Sequence, residues 1–163
     1  MGRCCHCFEP EERELCQKCR TAPDFCFPRA RLFEWSPPAS ILRSKIGEEE
    51  VDIATASMAL IFWHRLGWDV PDLIVEVPHE SGSKKCSCII RAFASLLGCP
   101  FIPLLKRKYG AFLMSSIGLK EISIEPERSI LLIDPGSRVE WLQQACTQIA
   151  EVFPKKGMIL SLF

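Results

Sequence analysis

The stretch Ser129-Ile130-Leu131-Leu132-Ile133-Asp134-Pro135-Gly136-Ser137 decides the fold. Its aliphatic run has no polar break and ends on an acid and a Pro-Gly pair. An unbroken run of this kind predicts a strand covered on both faces, which is the habit of parallel sheets. Parallel neighbours need crossovers, and the flanking segments supply them. Upstream, Leu73-Ile74-Val75-Glu76-Val77 reads as a β-branched strand closed by Pro78, and Phe101 to Leu105 reads as another. Downstream, Gly157 leads into Met158-Ile159-Leu160-Ser161-Leu162, a last strand. Between the strands, residues 51–66, 84–97 and 138–153 carry helical periodicity. In the first of these, Ile53, Ala54, Ser57, Met58, Ile61 and Phe62 recur at three- and four-residue spacing and predict the buried face. In the last, Val139, Leu142, Ala145, Cys146, Ile149, Val152 and Phe153 lie on one face. Alternating strand and helix predict an α/β fold: a mostly parallel sheet with helices on both sides. Ligands of such sheets sit at the carboxyl ends of the strands, so the segments to inspect are 78–85, 106–109 and 134–137.

Composition bounds the function. The chain has 163 residues, enough for one domain plus a small appendage. Hydrophobic residues make up 48% and charged residues 25%, which excludes wholesale disorder. Basic and acidic residues balance at 20 each, which argues against a dedicated nucleic-acid coat. No apolar run approaches the ~20 residues of a membrane-spanning helix, and no apolar run follows Arg3 as in a secretory leader. A cytoplasmic location is expected. In a reducing compartment the cysteines are expected to be unpaired, and Cys86, Cys88, Cys99 and Cys146 then read as small buried apolar residues.

Six of the ten cysteines fall within residues 1–26. Cys4, Cys7, Cys16 and Cys19 form two CxxC knuckles, each able to aim two thiolates at one point. Two knuckles close a tetrahedral four-sulfur site for structural Zn2+. Cys5 and His6 lack the two-residue spacing to Cys7, and Cys26 is a spare thiol. Residues 1–28 are charged and poor in aliphatics, so they cannot build a core without a metal. The expected organisation is a zinc ribbon over 1–28 and an α/β domain over 29–163.

Several short strings then occur in a telling order. After the ribbon comes Leu42-Arg43-Ser44-Lys45-Ile46-Gly47, then the aspartate-led strand Asp72 to His79, then Lys106-Arg107, and finally Ile130-Leu131-Leu132-Ile133-Asp134 ahead of a helix. This order resembles the ComF family, competence-associated proteins with a type I phosphoribosyltransferase domain. The resemblance covers nearly the whole chain. It implies a site for phosphoribosyl diphosphate, with Mg2+ required only where that ligand binds. It also implies single-stranded DNA and competence or recombination proteins as partners.

The family's hallmark is a strand, two acids, two variable residues and Thr-Thr-Gly-x-Thr, whose backbone N–H groups hold the 5′-phosphate. Only Asp134 matches here. Pro135 replaces the second acid, and no Thr-Thr-Gly follows. Pro135-Gly136 suits a type II turn, and Ser137-x-x-Glu140 predicts a capping box with Ser137 at the N-cap. Asp134, Gly136, Ser137 and Arg138 are the candidate ligand residues at this strand. Lys84 and Lys85 are candidates for a pyrophosphate, and Arg107 for an anion. His79 follows a strand end, where a general base or an ordinary loop residue would stand. No catalytic residue is assigned. Two functions follow from the resemblance: a catalytically silent ComF-like protein acting by binding in DNA uptake or processing, and a phosphoribosyltransferase working with an altered loop. The ribbon alone supports a third, a zinc-ribbon adaptor.

The knuckles make the zinc expectation measurable. Elemental analysis of purified protein is expected to give about one zinc per chain, because structural sites of this type bind with ~10–16 kcal/mol. Cys16→Ser is expected to lower that content. Metal-free protein with an ordered amino-terminal segment would contradict it.

Overall fold

The computed structural model describes residues 27–33, 37–79, 85–108, 111–114, 127–153 and 157–163. The cysteines of the zinc expectation, together with Lys84, lie outside the described residues. In chain order the elements are β1 (Arg29–Arg31), α1 (Pro37–Ser44), α2 (Glu49–Leu66), β2 (Leu73–Glu76), α3 (Lys85–Leu97), β3 (Leu105–Lys108), β4 (Ala111–Met114), β5 (Ile130–Asp134), α4 (Val139–Val152) and β6 (Gly157–Ser161). The fold is α/β: a four-stranded parallel sheet in the order β1-β6-β5-β2, flanked by helices. Among the described residues no helix is long and apolar enough to cross a membrane.

Strand β5 has all five residues buried, as its unbroken apolar run requires. Side chains alternate across it. Ile130 and Leu132 join Leu73, Val75 and Ile159 in a core on the α4 side. Leu131 and Ile133 join Ile74 and Leu160 in a second core under α1, α2 and α3. The register between β2 and β5 is clasped at the amino ends. Asp72 Oδ2 accepts from the Ser129 amide at 2.7 Å and the Ser129 hydroxyl at 2.9 Å, and the Asp72 amide donates back to the Ser129 carbonyl at 3.0 Å.

Three expectations need correction. The stretch 101–105 is not a strand. Phe101 makes one parallel bridge to Ile74, and Pro103, which has no N–H to donate, follows at once. The strand is Leu105–Lys108, paired antiparallel with Ala111–Met114 in a hairpin separate from the main sheet. The second correction concerns α2. Its buried residues are Asp52, Thr55, Ala56, Ala59 and Trp63, while Ile53, Met58 and Ile61 face outward. This helix is apolar on two faces. The small residues Thr55, Ala56 and Ala59 are the ones that face the sheet and α3, and Trp63 fills the remaining space against Trp68 and Phe93. Third, of the four scattered cysteines only Cys146 is buried; Cys86 and Cys99 are half-buried and Cys88 is exposed. Gly67 ends α2 as expected, with φ of 65° and its N–H donating to the His64 carbonyl.

Two short elements escaped the sequence reading. β1 has three residues, two of them arginine, and among the described residues pairs only with β6, at the sheet edge. α1 opens on Pro37-Pro38, a start that tolerates the missing donors.

At the start of the described residues one close contact stands out. The buried Phe27 ring lies flat against Gly157, where any Cβ would collide with its ring carbons. Gly157→Ala is therefore expected to destabilise the protein by about 1–3 kcal/mol in urea unfolding, the usual cost of overpacking. Unchanged stability would show that Phe27 is free to move.

Candidate functional site

The chain leaves β2 toward Phe101 on one side of that strand and returns as β5 on the other. The carboxyl ends of β2 and β5 therefore flank the topological switch point, where parallel sheets place ligands. Asp134 ends β5 here and is fully buried. Its carboxylate takes three hydrogen bonds and one ion pair. Oδ1 accepts from the amides of Gly136 (3.1 Å) and Ser137 (2.8 Å). Oδ2 accepts from the Ser161 hydroxyl of β6 at 3.0 Å and lies 3.7 Å from the Arg29 guanidinium of β1. Arg29 Nε in turn donates to Ser161 Oγ at 2.9 Å. One carboxylate thus ties together the ends of three strands and the turn that follows.

The turn takes its shape from the same contacts. Gly136 has φ of 109°, the sign that a type II turn demands after proline. A Cβ there would meet the Phe163 backbone and Cβ. The capping box does not form. The helix begins at Val139 with Arg138 as its N-cap, and no side chain caps it. The reason is local: Asp134 draws in the Ser137 amide, which holds Ser137 one residue upstream of the cap. Its hydroxyl is buried without a hydrogen-bond partner among the described residues. Arg138 is exposed at the helix start, and Glu140 stands in the first turn.

A second polar group sits at the end of β2. Ser87 of α3 donates to both oxygens of Glu76, at 2.9 and 2.8 Å, which fastens the helix to the strand. Burial raises the Glu76 carboxyl above the ordinary value; the Ser87 hydrogen bond and the Arg91 charge offset part of that shift. Ionised Glu76 is therefore a cost to the folded state, so its contribution to stability falls as pH rises from the usual carboxylate range toward the raised value. The Cys86 thiol is pushed up to about 11, chiefly by burial and then by the Glu76 charge. At neutral pH it is a protonated thiol, not a nucleophile. Trp141 of α4 donates Nε1 to the Pro78 carbonyl at 2.9 Å, closing the same end from the opposite face.

The remaining candidates are spread out. Lys85 is the first residue of α3, and Arg107 lies in β3 opposite Phe112 of the hairpin, away from the parallel sheet. His79 is half-buried just past β2. The structure brings Asp134, Gly136 and Ser137 together, with Arg138 following them in the chain, and adds Arg29, Ser161, Glu76, Ser87 and Cys86. Ser161 was visible in the sequence as the one polar residue inside the apolar run Met158 to Leu162. Arg29 had no such signal, because β1 is too short to recognise.

The arrangement does not fit a ribose phosphate held in the manner the ComF resemblance implies. The acid is sealed from solvent, and the two turn amides are already bonded to it. Comparison of the chain with models of known protein families, with characterised proteins and with solved structures returned no match.

Removing the Asp134 side chain takes the acceptor from the Ser161 hydroxyl and from two part-buried amides, and the counter-charge from Arg29. Asp134→Ala is expected to cost about 3–5 kcal/mol in urea unfolding, as breaking a buried charged pair does. A variant of unmodified stability would mean that this carboxylate is not a structural tie.

Proposed function

We propose that the chain is a ComF-like protein whose phosphoribosyltransferase-type sheet does not bind phosphoribosyl diphosphate, and which acts by binding in DNA uptake or processing. The reading of the family rests on the order of sequence strings and on the double CxxC ribbon with its structural Zn2+. It agrees with a parallel α/β sheet ending in Asp134. One observation carries the loss of catalysis: Asp134 is buried and bonded to the amides of Gly136 and Ser137. In a working phosphoribosyl site the acid faces the ribose hydroxyls and the loop amides face the phosphate. Here the two sets of groups satisfy each other.

Binding to nucleic acid would run through a local patch, since the whole chain is neutral. Lys106, Arg107 and Lys108 form the densest basic run, carried on β3, and Lys106 is exposed. Three or four phosphate contacts on a single strand give a log–log salt slope of about −2 to −3.

Two titrations test the reading together. Calorimetry with Mg2+ and phosphoribosyl diphosphate is expected to show no binding tighter than about millimolar, worth less than ~4 kcal/mol. Fluorescence anisotropy with labelled oligonucleotides is expected to show salt-dependent binding that flattens when Lys106, Arg107 and Lys108 become Ala. Micromolar binding of the diphosphate would restore the enzyme reading. No oligonucleotide binding at low salt would remove the DNA role and leave a protein-binding adaptor.

A further inference from the structure

Helix α2 carries two apolar faces, and α3 and the core beneath it cover only one of them. On the outward face Ile53 is 53% exposed, Met58 43% and Ile61 57%. Glu50, Ala54, Ser57, Ile61 and His64 follow one another at spacings of four, three, four and three residues. That is the seam of a helix packed lengthwise against another helix. Ile53 and Met58 flank the seam, and the small residues Ala54 and Ser57 at its middle allow close approach.

The charges at the two ends identify the partner. The first turn of α2 is acidic, with Glu49 and Glu50, and the last turn is basic, with His64 and Arg65. These four residues are exposed. A second α2 laid antiparallel, with the two-fold axis between Ser57 and Met58, sets Ala54 against Ile61 and Glu50 against Arg65. Both pairings then occur twice by symmetry. The surface is therefore complementary to itself in register and in charge, which is the requirement for an isologous dimer.

We infer that the outward face of α2 is a homodimer surface, with two antiparallel copies of α2 joined along Ala54, Ser57 and Ile61 and fixed in register by Glu50–Arg65 pairs. The inference goes beyond the proposed function and depends on none of the sheet-end residues.

Sedimentation equilibrium of the full chain tests it. The unmodified protein is expected to show a reversible monomer–dimer equilibrium. Ile61→Asp is expected to raise the dimer dissociation constant at least about tenfold, equal to 1.4 kcal/mol. Ile61 is exposed in the monomer, so the unfolding transition of this variant is expected to stay in place once dissociation is accounted for. Glu50→Arg alone and Arg65→Glu alone are each expected to weaken the dimer several-fold, and the double exchange to restore it. A protein that stays monomeric at every concentration would overturn the inference. So would a dimer indifferent to Ile61→Asp, or a double exchange no tighter than the single ones. A monomer whose unfolding midpoint drops with Ile61→Asp would overturn it too, because this face would then be packed within the single chain.

Discussion

The fold converges on one buried carboxylate. Asp134 ends the central, fully buried strand, and its two oxygens join β6 through Ser161, β1 through Arg29, and the following turn through two amides. A charge this deep is tolerable only when every lone pair finds a donor. That demand accounts for the sharp Pro135-Gly136 turn, the position of Ser137 and the late start of α4. The other end of β5 is held by a different device, the Asp72–Ser129 clasp. The sheet is thus fixed in register at both ends by aspartates, with an aliphatic core between them.

The same constraint shapes the chemistry. Ligands of parallel sheets bind where strand ends leave donors and acids facing solvent. Here those groups face one another. Glu76 is turned onto Ser87, Cys86 is a protonated thiol, and the turn amides belong to Asp134. The first turn of α4 has no side-chain cap, but Glu140 stands within it and opposes an anion. A site of this kind stabilises the sheet at the place where a parallel sheet with an open loop holds a ligand.

Much of the architecture was legible in the sequence because the strong signals were continuous ones. The run Ile130 to Ile133 is too apolar to be anything but buried, and Gly67 marks its helix end directly. The periodicity of α2 was also real, but it described the wrong face. A spacing pattern identifies an apolar stripe without saying what covers it, and here Thr55, Ala56 and Ala59 won the sheet side by being small. The failed capping box has a similar lesson. Ser137-x-x-Glu140 satisfies the local rule, yet a longer-range demand, the unsatisfied acceptors of Asp134, claimed the Ser137 amide first. β1 and the hairpin at Leu105–Lys108 were missed because a three-residue edge strand and a basic strand carry no apolar alternation.

The amides of Gly136 and Ser137 cannot be both internal partners of Asp134 and donors to a ligand. Nuclear magnetic resonance of the backbone amides during addition of Mg2+ and phosphoribosyl diphosphate reads those two groups directly. Both resonances are expected to stay where they are, shifted downfield by their carboxylate partner and protected from solvent exchange. Saturable movement of the Gly136 and Ser137 resonances with added diphosphate, absent in Asp134→Asn, would contradict it.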